Sequence, residues 1–72
     1  MKAIEKLQAE LDGAGVSGVV AKDVDGVRFA PRLGDWDAVN AALARYLGMN
    51  EFARPRALWA ALDARYKELA AE

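Results

Sequence analysis

The sequence predicts a small α+β domain in the order helix, β-hairpin, helix, helix, and three observations carry that prediction. Apolar residues recur at helical spacing in three separate stretches, the composition turns valine-rich between the first two around an Asp25-Gly26 pair, and glycine or proline marks each change. With 72 residues the chain forms one domain, 1–72. A chain of this size buries only roughly 60% of the surface its unfolded form exposes.

Residues Lys2 to Asp12 place Ile4, Leu7 and Leu11 on one side of a helix, with Glu5, Lys6 and Glu10 around the rest of it. Gly13 and Gly15 end that helix, because glycine accepts the left-handed conformation that closes many helices. The stretch from Val16 to Pro31 reads as a hairpin. If Asp25-Gly26 is a two-residue type I′ turn, Val24 faces Val27, Lys22 faces Phe29, and Asp23 pairs with Arg28 on the opposite face. Val20, Val24, Val27 and Phe29 then share the buried side. The rival is a type I turn with a bulge at Gly26, which shifts the register and rotates the face.

Asp35 serves as N-cap for a second helix, with Asp37 in its first turn and Trp36, Val39, Leu43, Tyr46 and Leu47 as its apolar stripe. Gly48 stops it. Pro55 suits the first position of a third helix, where its missing N–H costs nothing. Leu58, Ala61, Leu62, Arg65 and Leu69 form the inward stripe of this helix. Two strands alone are marginal in water, so the hairpin must lie on the helices or pair with another copy.

Composition narrows the function. The chain has no histidine and no cysteine, which removes the commonest general base, the thiol nucleophile, disulfides and nearly every zinc site. Hydrophobic residues at 54% and charged residues at 29% lie in the folded range. A net charge of −1 makes binding through phosphates an unfavourable expectation. No apolar run approaches the ~18 residues of a membrane span, and the opening residues alternate charges where a secretory signal would be apolar. The expectation is a cytoplasmic protein without enzymatic activity, cofactor or metal.

The carboxylates at Asp23 and Asp25 lack the further oxygen ligands of a calcium loop, so a hairpin turn explains them better. Ser17 has no base beside it, and the glycines at 13, 15 and 18 lack the Lys-Ser/Thr of a phosphate loop. Ala44, Leu47, Gly48 and Met49 resemble the first helix and turn of a helix-turn-helix, which makes a small DNA-binding regulator the alternative function. Arg54 and Pro55, however, stand where a recognition helix needs continuous helix and an apolar anchor.

Candidate partner-binding residues cluster before and along the third helix. Arg54 and Arg56 oppose the helix dipole at its N-terminus, so they invite a role in contact, with Glu51 as a local partner otherwise. Trp59 and Tyr66, seven apart, share a flank beside the leucine stripe, and Phe52 lies just upstream. The five together have the aromatic-plus-arginine composition enriched at interfaces, with a protein partner or a second copy as occupant. The competing reading is that Trp59 simply covers the hairpin.

The arrangement L-x-x-E-L-x-x-A-G-V at 7–16, then D-G-V-x-F-x-P at 25–31, then an alanine-rich helix, resembles small phage and prophage accessory proteins of high-GC bacteria. The likeness spans residues 7–47 and is one of helix, turn and strand grammar. It implies a phage-encoded factor that binds and modulates or inhibits a host protein or complex.

Overall fold

A computed structural model describes residues 2–16, 18–24, 26–30 and 36–72. The elements are α1 (Ala3–Gly13), β1 (Val19–Asp23), β2 (Gly26–Ala30), α2 (Trp36–Leu47) and α3 (Pro55–Ala71), giving the helix, hairpin, helix, helix order of an α+β domain. Asp25, Pro31 and Asp35, to which the sequence assigns turn, strand-end and capping roles, lie outside the described residues.

Glycine closes α1 and α2 in the same way. After α1, Gly15 adopts φ +78° and the Val16 N–H donates back to the Leu11 carbonyl at 2.9 Å. After α2, Gly48 adopts φ +72° and the Met49 N–H donates to the Ala44 carbonyl at 2.8 Å. These are Schellman closures, which satisfy orphan carbonyls and fold the next apolar residue against the helix it leaves. Val16 is accordingly buried. At the start of α1, the Glu5 carboxylate accepts the Lys2 backbone N–H at 3.1 Å. At the start of α3, Arg54 is extended and Pro55 occupies the first turn.

The core lies between the hairpin and the helices. Leu7 and Leu11 of α1, Val39, Leu43 and Ala44 of α2, and Leu58, Leu62 and Leu69 of α3 meet Val20, Val27 and Phe29 of the hairpin. In the sheet, α1 packs along β1 and α3 along β2. The predicted stripes hold with one exception: Trp36, in phase with Val39 and Leu43, is 47% exposed because it stands at the first residue of α2, beyond the edge of the core.

The hairpin register differs from both expectations. Asp23 pairs with Gly26, Lys22 with Val27 and Val20 with Phe29, so Gly26 belongs to β2 rather than to the turn. Relative to the predicted ladder, β2 has slid by two residues along β1. A slide of two preserves the pleat, and for that reason Val20, Val27 and Phe29 still face inward and the Asp23–Arg28 ion pair still forms on the outer face. Val24, by contrast, leaves the sheet for the turn and is fully exposed.

Packing favours this register over the local turn preference. It sets the Phe29 ring beside Gly18, where a Cβ would lie 2.2 Å from the ring, so only glycine admits the contact. The Lys22 ammonium lies 5.2 Å from the centre of the Tyr66 ring, a cation–π approach linking β1 to α3.

Candidate functional site

The two edges of the hairpin are treated differently. Along β1, the Gln8 side chain of α1 occupies the edge: its Oε1 accepts the Val20 N–H at 2.8 Å and its Nε2 donates to the Gly18 carbonyl at 3.2 Å. Since the Val20 N–H points away from β2, Val20 and Phe29 are a non-hydrogen-bonded pair in the antiparallel ladder. By the alternation of the ladder, Phe29 and Val27 therefore turn their N–H and C=O groups to the outer side of β2. No hydrogen bond to these groups is found among the described residues. Both residues are nevertheless buried, Val27 at 7% and Phe29 at 3% exposure, so these groups are not presented to solvent as a free edge.

An apolar groove runs beside that edge. It has a volume of about 460 Å³ and is lined by β2 from Gly26 to Ala30 together with Asp23, Trp36 and Trp59. Trp59 reaches it from α3 and is half-buried, whereas Trp36 borders it from the start of α2. On the outer face of the same strand stands Arg28, its side chain 70% exposed and ion-paired with Asp23.

The five residues singled out from the sequence do not form one patch. Trp59 belongs to the β2 groove. Tyr66 lies two turns further along the same flank, half-buried beneath Lys22, in a separate depression with Lys2, Lys6 and Leu69. Phe52 projects from the α2–α3 connection at 92% exposure, on a turn built by Asn50, whose side-chain oxygen accepts the Phe52 N–H at 2.8 Å. Arg54 and Arg56 are exposed beside it, while Glu51 pairs with Arg45 at 3.4 Å. The flank that carries Trp59 and Tyr66 is the one along which the hairpin lies.

Trp36, Val27 and Phe29 were not predicted as site residues. Helical phase places Trp36 inward, and nothing in the sequence tells which hairpin edge a helix will cover. Gln8 carried no signal either, as a polar residue on the flank of an amphipathic helix.

A second polar constellation joins the three helices. Glu10 of α1 accepts the Tyr46 hydroxyl of α2 at 2.5 Å and both Nε (3.0 Å) and a terminal nitrogen (2.5 Å) of Arg65 of α3. Arg65 also donates to Glu68 at 2.9 Å. The Arg65 hydrogen bonds, followed by that of Tyr46, hold the Glu10 carboxyl below its ordinary value. Burial, and then donation to the Glu10 carboxylate, push the Tyr46 phenol up to about 12. Arg65 is raised further by Glu10 and stays charged. This arrangement favours an ionised acid, a protonated phenol and a charged guanidinium, so it fixes protons rather than exchanging them near neutral pH. Its chemistry is that of a fastening.

Among the described residues, no three acidic side chains come together as a set that could hold a metal ion, and no helix is long and apolar enough to cross a membrane. No family model matches the chain, and no curated protein or solved structure matches it either.

Proposed function

We propose that this chain is a non-enzymatic protein-interaction module that engages its partner at the apolar groove beside β2. The observation that carries the proposal is the apolar groove along β2 bordered by Trp36 and Trp59. Tryptophan is among the residues that concentrate binding energy at protein interfaces, and a groove supplies the desolvated setting in which it does so. The absence of histidine and cysteine from the whole chain, with Glu10 committed to the helix fastening, supports the non-enzymatic reading. Joined to the resemblance over residues 7–47, the proposal extends to a phage-derived accessory protein that binds and modulates a bacterial host protein in the cytoplasm.

The connection between α2 and α3, Gly48 to Arg54, is seven residues (48 through 54), longer than the roughly 3–4-residue turn of a helix-turn-helix. A protein partner therefore fits better than DNA. The experiment is capture from a bacterial lysate on immobilised wild-type chain and on Trp36→Ala, in low and high salt. The expected result is a discrete protein retained by the wild type in both salts and lost on the variant. Equal retention on both would overturn the groove as the contact surface. Nucleic acid retained only at low salt would instead favour a DNA-binding regulator, because phosphate contacts weaken steeply with salt.

A further inference from the structure

We infer that the depression between the start of α1, β1 and the end of α3 is a binding site for a small organic phosphate, independent of the groove beside β2. Charge carries the inference. The chain as a whole has a net charge of −1, yet three of its four lysines, Lys2, Lys6 and Lys22, line this one concavity. Two stand at the start of α1 and one in β1, so the fold assembles them and not a local run of basic residues. Lys2 and Lys22 are exposed and Lys6 is half-buried, so none is closed off from solvent. Among the described lining residues the one carboxylate is that of Glu72, which approaches the Lys6 ammonium only to 4.0 Å, beyond hydrogen-bond reach. Lys22 lies over the Tyr66 ring, and a ring face attracts an ammonium without cancelling its charge. Three ammonium groups against one carboxylate leave an excess of two positive charges.

That excess selects the anion. A phosphate monoester carries close to two negative charges above neutral pH, whereas a carboxylate or a sulfate ester carries one. Lysine suits it, because the ammonium binds phosphate as a compact point charge with rotatable donors. Lys2 and Lys6 also stand one helical turn apart, a like-charge spacing that disfavours the helix and that a bound anion relieves. A nucleic-acid backbone is a poorer match, since the lysines gather in one concavity and do not form a stripe. The walls define the rest of the ligand. Ile4 and Tyr66 are half-buried in the same depression, whose volume of about 460 Å³ lies in the range of small-molecule sites. The occupant is therefore a phosphate on a compact apolar body, with the phosphate at the lysines and the body against Ile4 and Tyr66.

The test titrates phenyl phosphate into the ¹⁵N-labelled full chain above neutral pH, with phenyl sulfate and inorganic phosphate as comparisons. The expected result is that the Ile4, Lys6, Lys22 and Tyr66 amides shift while the Trp36 and Trp59 indole signals do not, with phenyl phosphate bound tighter than either comparison. Lys2→Gln and Lys22→Gln should each weaken binding about threefold to fivefold, the scale of an exposed ion pair. Glu72→Gln should tighten it by a similar factor, because it removes the carboxylate that competes for Lys6. Lys67→Gln changes the fourth lysine, which pairs with Asp63 at 3.1 Å outside the depression, and should leave binding as it was. A loss on Lys67→Gln as large as on Lys22→Gln would reduce the effect to net charge and overturn the site. Absence of shifts around Lys22 would overturn it outright, as would shifts confined to the tryptophan indoles, which would place the probe in the groove beside β2. Equal affinity for phenyl sulfate would overturn the choice of a dianion, and equal affinity for inorganic phosphate would overturn the apolar body. Binding to phosphatidylcholine vesicles doped with phosphatidate, lost on Lys22→Gln and without any binding of phenyl phosphate, would replace the small ligand by a lipid surface.

Discussion

Gln8 holds the backbone of Val20 from twelve residues away, its side-chain oxygen accepting the Val20 N–H at 2.8 Å while its nitrogen donates to Gly18. One amide thus imitates a short stretch of neighbouring strand and covers the β1 edge at Gly18 and Val20. The same contact fixes which backbone groups of β2 face outward.

Replacing Gln8 by methionine keeps the volume and removes both bonds. The expected cost is about 1–3 kcal/mol, the penalty of leaving a part-buried backbone donor unsatisfied. Chemical denaturation measures it, and hydrogen exchange at the Val20 amide should accelerate beyond what the global loss accounts for. An unchanged Val20 exchange rate would show that Gln8 does not guard this edge.

Glycine is required in the hairpin for two different reasons. At position 18 the obstacle is space, since a Cβ would meet the Phe29 ring at 2.2 Å and the Ala30 carbonyl at 2.8 Å, so Gly18→Ala should cost about 1–3 kcal/mol by overpacking. At position 26 the obstacle is conformation, φ +127°, with Asp63 Oδ1 only 3.0 Å from a Cβ. Gly26→Val should therefore destabilise at least as much. A melting temperature unchanged within error for either variant would contradict the register described here.

Leu43 and Leu62 are 4% and 0% exposed in the shared core. Their truncation to alanine should cost on the order of 2–5 kcal/mol each, measured by denaturant unfolding. Costs below about 1 kcal/mol for both would mean that the helices do not pack as described.

The fastening of the three helices gives stability a pH dependence with two limbs. The Glu10 carboxyl is lowered on folding, so its contribution is complete above its ordinary value of 4.5 and is lost as pH falls through the depressed one. The Tyr46 phenol is raised from 10.0 to about 12, so its contribution is complete below pH 10.0 and disappears as pH climbs from there through about 12. Tyr46→Phe should cost about 1 kcal/mol near neutral pH. Its deficit against the wild type should shrink across the alkaline window. A deficit constant up to the top of that window would rule out the Tyr46–Glu10 bond as its source.

Much of the architecture is legible in the residues. Gly15 and Gly48 announce the helix ends, Pro55 announces a beginning, and leucines at helical spacing identify the buried faces, because each of these signals acts within a turn or two of chain. The hairpin register is less legible. Asp25-Gly26 is a strong local turn signal, yet the register is decided by Phe29 against Gly18 and Lys22 over Tyr66, contacts that a turn rule does not contain. The site is legible only in part for a related reason. Spacing groups Trp59 with Tyr66 correctly, but whether that flank faces solvent or the hairpin depends on where the hairpin lies.

The fastening also bears on the order in which the fold can be assembled. Gln8 and Val20 lie close enough in sequence for α1 and β1 to associate early, whereas Glu10 must wait for Tyr46, 36 residues on, and for Arg65, 55 residues on. Contacts of such separation close late because the intervening chain must first be ordered. On a ribosome, α1 and the hairpin emerge before α3, so Leu7 and Leu11 can cover part of the inward face before Leu58, Leu62 and Trp59 are added. In that interval α1 can lie along β1 while β2 still lacks α3, and a chaperone that captures short apolar segments would find Val27 and Phe29 before the finished groove exists.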